Sequence, residues 1–391
     1  MIVFTKTFIY VTIAHFLMDF GQYMMNSLIP KYVSSLGAPA TIIGFASSIF
    51  SLSCIFTRPF SSQLIDQWDK KKILFISSLF IMFIFIGYSF TDNVNAVLIV
   101  RFLHGIALGF STLGFLSIVT STTDKSVLTQ AIAYFSAANA LANALSPAIS
   151  LKLVEWFGYK KTFLFGVLIV FIALILISKI KLPYEKKKIN IKLELNRMFA
   201  KEAILPAGLL VFFATAYMSV NSFLILYAES KGIENIGLFF TVNAITLVFS
   251  RPILAKIGIR IGQHKVLIAS IFSFILSLFL ISIAPNLFVL LIASILFALG
   301  YGAELPIIQT LCLKSVDKSK SGAASATCYY GTDLGYLIGP LTAGKFVELW
   351  GYSTMYRLMI LFLVASLIVI FIYFKKLKKV LDFWGFFVYT N

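Results

Sequence analysis

Apolar blocks of about 20 residues recur along the whole sequence, and they constrain its fold more than any other feature. An α-helix needs about 20 apolar residues to cross the hydrocarbon core of a bilayer. Of the 391 residues, 59% are hydrophobic and only 13% are charged, whereas about a quarter of the residues are charged in an ordinary soluble protein. The sequence therefore predicts an all-α integral membrane protein.

Twelve transmembrane helices are predicted, and most of them are joined by short loops. The longest polar insert, at residues 181–202, is rich in lysine and separates the sixth helix from the seventh. We therefore predict an N-terminal six-helix bundle (1–182), a cytoplasmic linker (183–202), a C-terminal six-helix bundle (203–376) and a basic-aromatic cytoplasmic tail (377–391). The approximate helix bounds are 7–31, 41–64, 72–92, 95–120, 127–152, 160–182, 203–228, 236–258, 265–284, 287–312, 320–345 and 352–375.

The positions of the lysine and arginine residues predict how these helices are oriented. They concentrate in the central linker, in the loops on the same side and in the tail, and Lys6 lies at the amino-terminal end. Positive residues mark the cytoplasmic loops of membrane proteins. We therefore expect a multi-pass protein of the cell membrane with both termini in the cytoplasm. These loops also explain the net charge of +17, and no nucleic-acid partner is expected because no nucleic-acid-binding motif accompanies it.

The two halves of the chain share a repeated sequence. Arg58-Pro59 recurs 193 residues later as Arg251-Pro252, each time at the end of an apolar block. The same offset aligns glycine, proline and charged residues in order, and two parallel six-helix halves are a known architecture of transporters, with the substrate bound between the halves. The aligned residues include Ile43-Gly44 with Ile236-Gly237, Gly109 with Gly302, Pro147 with Pro340, and "VEWFGY" at 154–159 with "VELWGY" at 347–352.

With this repeat, the whole chain resembles the major facilitator superfamily, specifically its twelve-span bacterial efflux-type members. The family carries a Gly-x-x-x-Asp-Arg-x-Gly-Arg-type loop between the second and third helices, and the matching stretch here is "SQLIDQWDKKK". Asp66 and the basic cluster fit this pattern, whereas Ser62 and Asp69 stand where glycines are usual. In the second copy of the loop, Ile259 takes the place of the aspartate.

The resemblance implies that this loop latches the two halves together on the cytoplasmic side. Arg58 and Arg251 are expected to reach the cytoplasmic headgroups, either beside the latch or as simple interfacial anchors, because long basic side chains snorkel toward water. The expected latch residues are Asp66, Arg58, Lys71, Arg251 and Arg260.

Polar and charged residues inside the predicted helices are candidates for a substrate and proton pathway, because a charge in the bilayer is costly. His15 and Asn26 share one face of the first helix with Asp19, and Arg101 matches the Arg-x-x-x-Gly motif of the family in the fourth helix. A structural hydrogen bond at Asp19, or a salt bridge that ties the first and fourth helices, is the alternative interpretation. The candidates are Asp19, Arg101, Glu304, Asp333, Asn26, Asn139, Asn143 and Asn221.

We hypothesise a secondary active transporter that works by alternating access, because the sequence contains no Walker loop, no metal-binding spacing and no other enzyme signature. By resemblance, the first, fourth, seventh and tenth helices line the cavity. Proton-coupled efflux of a drug or a small amphipathic or zwitterionic metabolite is predicted, with Asp19 taking up the proton. Proton-coupled uptake of a nutrient, or a non-transporting membrane sensor on the same fold, are the alternatives. We expect a monomer in the bilayer that has no cofactor.

Overall fold

A computed structural model describes residues 5–124, 127–182, 199–316 and 321–388, and in these residues the chain is helical almost throughout, with no strand. The described part contains ten long helices, and a single 3₁₀ turn, Lys201–Ala203, precedes the sixth. They are α1 Lys6–Ser35, α2 Ala40–Gln67, α3 Lys70–Phe90, α4 Val94–Thr122, α5 Leu128–Ser178, α6 Ile204–Ser230, α7 Gly237–Ile261, α8 Gln263–Ile283, α9 Leu287–Lys314 and α10 Ser321–Val388.

Two of these helices, α5 and α10, each consist of two membrane-length arms. Gly158 interrupts α5 with φ 75° and ψ 172°, and Gly351 interrupts α10 with φ 76° and ψ 170°. A positive φ is strained for residues with a Cβ atom, so glycine suits both bends. We call the arms α5a (128–157) and α5b (159–178), and α10a (321–350) and α10b (352–388).

When these arms are counted separately, the described residues form twelve long helical segments, which is consistent with the twelve-span prediction. Within the described residues, α2 to α10 are all long and apolar enough to cross a membrane. The remaining helix, α1, is 30 residues long and carries His15, Asp19, Gln22 and Asn26 among its apolar residues. The chain is therefore an all-α membrane protein of two six-helix bundles, as its sequence predicts.

Aromatic contacts near the glycine bends repeat in the two halves. The ring of Tyr32 in α1 lies 4.9 Å from that of Tyr159 at an angle of 44°, and the ring of Tyr227 in α6 lies 5.9 Å from that of Tyr352 at 45°. Each pair joins the end of the first helix of a half to the residue that follows the bend. The repeat in the sequence is thus a repeat in the structure.

Alternate connections place the helix ends on two faces of the bundle. The linker face carries the start of α1, the α2–α3 connection, the start of α5a, the end of α5b and the start of α6, as the sequence order and a hydrogen bond from Lys71 Nζ to the Ser178 carbonyl indicate. The opposite face carries the end of α1 and both glycine bends, which the tyrosine pairs bring together.

A stripe of glycines holds α10a directly against α6. A Cβ atom at Gly331, Gly335 or Gly339 would overlap backbone carbonyl groups of α6 at Ala207, Val211 or Thr215. Small residues at every fourth position let two membrane helices approach closely. The stripe therefore fixes the side of α10a that faces its own half, and the other side of this arm faces α2.

The two halves meet along two seams. In the first seam α2 packs against α10a, and in the second seam α5a packs against α7. Near the opposite face, Gly44 in α2 lies against the Pro340 carbonyl, and Gly237 in α7 lies 3.4 Å from Ala148 Cα as measured from its ideal Cβ position. Both contacts use glycines that the repeat aligns, so the two seams have the same construction at this face.

Polar contacts join the halves at the opposite face as well. Lys31 Nζ in α1 lies 2.6 Å from Glu229 Oε1 in α6, and the Thr41 hydroxyl in α2 donates a hydrogen bond to Glu348 in α10a. These contacts and the two glycine contacts keep the halves together on this side of the membrane bundle.

Candidate functional site

Asp19 lies in the middle of α1, where side chains from α1 and α5a surround its carboxylate. Its Oδ2 atom lies 3.0 Å from His15 Nε2 and accepts a hydrogen bond of 2.6 Å from Asn139 Nδ2. Asn139 Nδ2 also donates to the Tyr23 hydroxyl at 3.1 Å, and the His15 ring stacks on Phe135 at 3.9 Å. The Asp19 side chain keeps 13% of its surface exposed, so it is partly accessible from the space between the halves.

Arg101 belongs to a separate polar cluster between α1, α2 and α4. Its Nη2 atom donates to Asn26 Oδ1 at 2.6 Å, and Gln22 Nε2 donates to the same oxygen at 3.0 Å. The guanidinium lies 4.2 Å from the centre of the Phe50 ring, an arrangement that stabilises a cation. Arg101 is only 1% exposed, so it is closed off from a substrate in this structure.

The described residues give Arg101 no carboxylate partner, and Asp19 has no arginine partner. The proposed salt bridge between the first and fourth helices is therefore absent in this structure. Each side chain binds other residues instead. Asn26 accepts a hydrogen bond from Arg101, and His15 and Asn139 contact the Asp19 carboxylate. Asp19 and Asn26 lie seven positions apart on α1, so one helix carries the two clusters at different depths.

Glu304 is a buried acid of the C-terminal half. It lies in α9 with 1% of its surface exposed, and its Oε2 atom has no hydrogen-bond partner. No ion pair of Glu304 occurs among the described residues, which also hold no group of three His, Cys, Asp or Glu side chains that could bind a metal ion. Glu304 thus differs from Asp19, whose carboxylate has two polar neighbours.

Three tyrosines form an aromatic wall in the C-terminal half, and sequence analysis missed them. The Tyr217 ring in α6 stacks on Tyr301 in α9 at 3.9 Å, and the Tyr301 and Tyr336 hydroxyls lie 3.2 Å apart. The signal that could have identified them is their position in the middle of apolar helices, since membrane tyrosines are usually found near the headgroups.

Asn143 connects the two halves at the level of this wall. Its Nδ2 atom in α5a donates to the Tyr217 hydroxyl in α6 at 3.1 Å. Asn221, by contrast, donates to the Tyr217 carbonyl of its own helix. Of the predicted asparagines, Asn26, Asn139 and Asn143 therefore bind side chains of other helices, and Asn221 bonds along α6.

Arg58 and Asp333 form an ion pair across the first seam. Arg58 Nη2 in α2 donates to Asp333 Oδ1 in α10a at 3.0 Å, and Nε donates to Oδ2. The two side chains are 17% and 8% exposed, so Arg58 does not reach the headgroups and the snorkelling prediction is wrong for it. The reason is that an acid inside the bundle lies within reach of the guanidinium.

Among the described side chains, the predicted latch residues Lys71 and Arg260 make no contact between the halves. Lys71 Nζ bonds the last carbonyl of α5b, Ser178, within the N-terminal half. Asp69, which replaces a glycine of the family motif, caps α3 by accepting from the Lys71 and Lys72 amides. Arg260 is exposed near the end of α7, and the Asp66 side chain lies outside the described residues.

Arg251 lines a cavity of about 220 Å³ near the linker face. The cavity lies between α7, the start of α8 and α9, with Gln263 and Thr310 as its other polar side chains. The Nε atom of Arg251 is buried and has no hydrogen-bond partner among the residues that the structure describes.

Comparison with known proteins gives the same architecture. The family model described as Major Facilitator Superfamily matches residues 11–235 and 206–382. The chain is 24% identical to the multi-drug resistance efflux pump PmrA of Streptococcus pneumoniae, covering 92% of this chain and 96% of that protein. It is 22% identical to the staphylopine export protein of Staphylococcus aureus, with 89% and 91% covered.

Solved structures of low sequence identity share the fold. The nucleoside transporter NupG has a TM-score of 0.71 at 14% identity, with 96% of this chain and 100% of that chain covered. A POT family transporter in complex with 5-aminolevulinic acid has a TM-score of 0.79 at 12% identity, with 94% and 95% covered.

Proposed function

Because the chain belongs to the major facilitator superfamily, we propose that this membrane transporter exports a small amphipathic or zwitterionic drug or metabolite in exchange for protons. The observation that carries the proposal is Asp19, a partly accessible carboxylate in the middle of a membrane helix. A charge at this depth is costly and is found where substrates or protons pass.

The surroundings of Asp19 suit a group that gains and loses a proton. His15 and Asn139 contact only one carboxylate oxygen, Oδ2. Protonation makes the side chain neutral, and it then no longer needs charged or strongly polar partners. Arg101 is less suited to this role because an arginine stays protonated in proteins and this one is almost fully buried.

Coupling requires that the proton affinity of Asp19 differ between the two states of the transporter. The C-terminal half supplies such a difference, because its Tyr217 hydroxyl accepts a hydrogen bond from Asn143, which lies on the same arm as Asn139. If the halves part during transport, this contact breaks and water reaches Asp19 from the other face. Asp19 would then exchange its proton at one face and its substrate at the other.

The charge distribution supports an orientation for this cycle. Lysine and arginine residues concentrate on the linker face, and such residues mark the cytoplasmic side. We propose that the linker face is cytoplasmic and that both termini lie there. The structure would then be closed toward the outside, where Lys31, Thr41, Gly44 and Gly237 keep the halves together.

The relatives favour export over uptake, because PmrA is an efflux pump and the staphylococcal relative exports staphylopine, as their names state. An aromatic wall of Tyr217, Tyr301 and Tyr336 next to polar groups is compatible with an amphipathic molecule. Its planar rings can bind the apolar part while Asp19 or an asparagine binds the polar part.

The test is Asp19→Asn in proteoliposomes that report internal pH and dye flux, with ethidium and tetramethylrhodamine methyl ester as probes. We expect flux driven by a pH gradient to fall about tenfold or more, in the range of typical coupling free energies. Exchange of dye without a gradient should persist. Asp92→Asn is the matched control because Asp92 is an exposed acid that pairs with Lys160 on the protein surface. Wild-type flux in Asp19→Asn would refute the assignment of Asp19.

A dye-accumulation assay in whole cells tests the direction. Cells with the transporter should hold less ethidium than cells without it, and they should lose this difference when the proton gradient is collapsed. Greater accumulation in cells with the transporter would instead support uptake.

A further inference from the structure

Arg58 and Arg251 hold matching positions of the repeat, yet only Arg58 is paired with an acid. Arg58 binds Asp333 with two nitrogen atoms, and the repeat aligns Asp333 with Ala140 in α5a. The position that matches Asp333 therefore carries a methyl group instead of a carboxylate. Within the described residues, Arg251 has no ion pair, and its buried Nε atom has no hydrogen-bond partner.

A guanidinium that lies inside the membrane bundle without an ion pair is a binding site for an anion. Arg251 lies about 15 Å along α7 from the end of that helix at Ile261. Charged side chains inside the membrane are costly, and they almost always pair with another charge or line a water-filled cavity. In the first seam Asp333 is the partner of Arg58, whereas Arg251 lies beside a cavity between α7, α8 and α9.

The cavity beside Arg251 has the size and lining for one end of a small molecule. Its volume is about 220 Å³, and it is bounded by Gly302 and Pro306 of α9, with Gln263 and Thr310 as hydrogen-bonding side chains. Gly302 leaves space where a larger residue would fill it. An arginine fork binds a carboxylate with two parallel hydrogen bonds, and Arg58 already does so with Asp333.

We propose that Arg251 binds the carboxylate of the transported molecule, so that the substrate is a zwitterion or an organic anion with an apolar body. This inference rests on the proposed transport function and names its substrate class. The ligand supplies to Arg251 the kind of carboxylate that Asp333 supplies to Arg58. The apolar body lies toward the aromatic wall, since Tyr301 of this wall directly precedes Gly302, which lines the cavity.

A matched pair of dyes tests the proposal directly. Tetramethylrhodamine has a free carboxylate, and its methyl ester differs only in that the carboxylate is masked. Fluorescence polarisation with the full-length protein in phosphatidylcholine nanodiscs measures the affinity for each dye. We expect the wild type to bind the acid about tenfold more tightly than the ester, because a hydrogen-bonded charge pair contributes at least this much.

Arg251→Gln should lower the affinity for the acid to that for the ester and leave the affinity for the ester unchanged. Arg251→Lys should bind the acid with an affinity between those of the wild type and Arg251→Gln. Lys256→Gln, which removes an exposed positive charge from the same helix, is the control and should preserve the preference. A site for a lipid phosphate would not distinguish the acid from the ester.

Ala140→Asp provides a second variant in case Arg251→Gln fails to fold. It places an acid at the position that matches Asp333, so it should pair with Arg251 and abolish the preference for the acid, whereas Ala140→Asn should keep it. The proposal is overturned if the wild type binds both dyes equally or binds neither, or if Arg251→Gln weakens both alike. If the wild type prefers the acid and Asp19→Asn transports like the wild type, the role of Arg251 stands and only the role of Asp19 as the proton site is refuted.

Discussion

The first and second seams are built from repeated sequence, yet they join the two halves in different ways. Near the opposite face each seam has a glycine, Gly44 or Gly237, that lets two helices approach. Toward the linker face the first seam is closed by Arg58 and Asp333, whereas Arg251 of the second seam lies beside a cavity within the C-terminal half. The repeat thus gives both seams a matching glycine and a matching arginine, and the exchange of Asp333 for Ala140 removes the acid from the second.

This difference assigns different tasks to the two seams. Separating α2 from α10a requires that a buried ion pair be broken, because Arg58 and Asp333 come from opposite halves. Separating α5a from α7 breaks no ion pair among the described residues. We therefore expect the substrate to enter through the second seam. The ion pair of the first seam is expected to determine the free energy that is needed to separate the halves.

The largest expected effect comes from removing one partner of the ion pair. Arg58→Leu leaves Asp333 buried without a counter-charge, which costs about 3–5 kcal/mol, and it should lower the Tm of the purified protein strongly. Arg251→Leu removes an unpaired charge, so it should leave the Tm unchanged or raise it. Thermal unfolding followed by tryptophan fluorescence compares the two variants.

The double variant Arg58→Leu/Asp333→Leu is the control for this contrast. Replacing both charges of a buried pair by apolar residues is often close to neutral, so most of the loss in Tm should be recovered. Equal losses in Arg58→Leu and Arg251→Leu would show that the two seams do not differ as described.

A smaller effect is expected from adding a methyl group to each seam. In Gly44→Ala the new Cβ would overlap the Pro340 carbonyl and lie 3.3 Å from Gly344 Cα, whereas in Gly237→Ala the nearest atom is Ala148 Cα at 3.4 Å. Overpacking costs about 1–3 kcal/mol. Gly44→Ala should therefore lower both the Tm and dye flux, and Gly237→Ala should change neither. The reverse order would contradict the close approach in the first seam.

The smallest effect is expected at the ion pair of the opposite face. Lys31 and Glu229 are 27% and 44% exposed, and an exposed pair contributes about 0–1 kcal/mol and weakens with salt. A double-mutant cycle with Lys31→Gln and Glu229→Gln should give a small coupling that disappears at high salt. The pair Lys152 and Glu155, which lies within α5 alone, serves as the control. A coupling that salt leaves unchanged would indicate a buried contact.

The helices and the repeat could be predicted because they depend on local sequence. Apolar blocks gave the spans, and the aligned motifs at 154–159 and 347–352 contain the glycines of both bends. The spacing of His15 and Asp19 likewise placed them on one helix face, where the structure shows them in contact. Such features need only the periodicity of a helix, which the sequence displays directly.

Partners from distant parts of the chain could not be predicted in the same way. Arg58 and Asp333 are 275 positions apart, and their pairing depends on which sides of α2 and α10a meet. Sequence analysis therefore assigned Arg58 to the headgroups. Arg101 was matched with Asp19 by charge, although the structure pairs it with the neutral Asn26, because the depth of each group along α1 decides which atoms meet.

At each glycine bend, a helix of a seam continues directly into a second arm that has side chains exposed to lipid. Because α5a continues into α5b at Gly158 and α10a into α10b at Gly351, a displacement of either seam is passed to the perimeter of the protein. Leu168 and Leu361 on these arms are 52% and 61% exposed. A spin label at each position can therefore follow the transport cycle from within the bilayer while the substrate path stays unmodified.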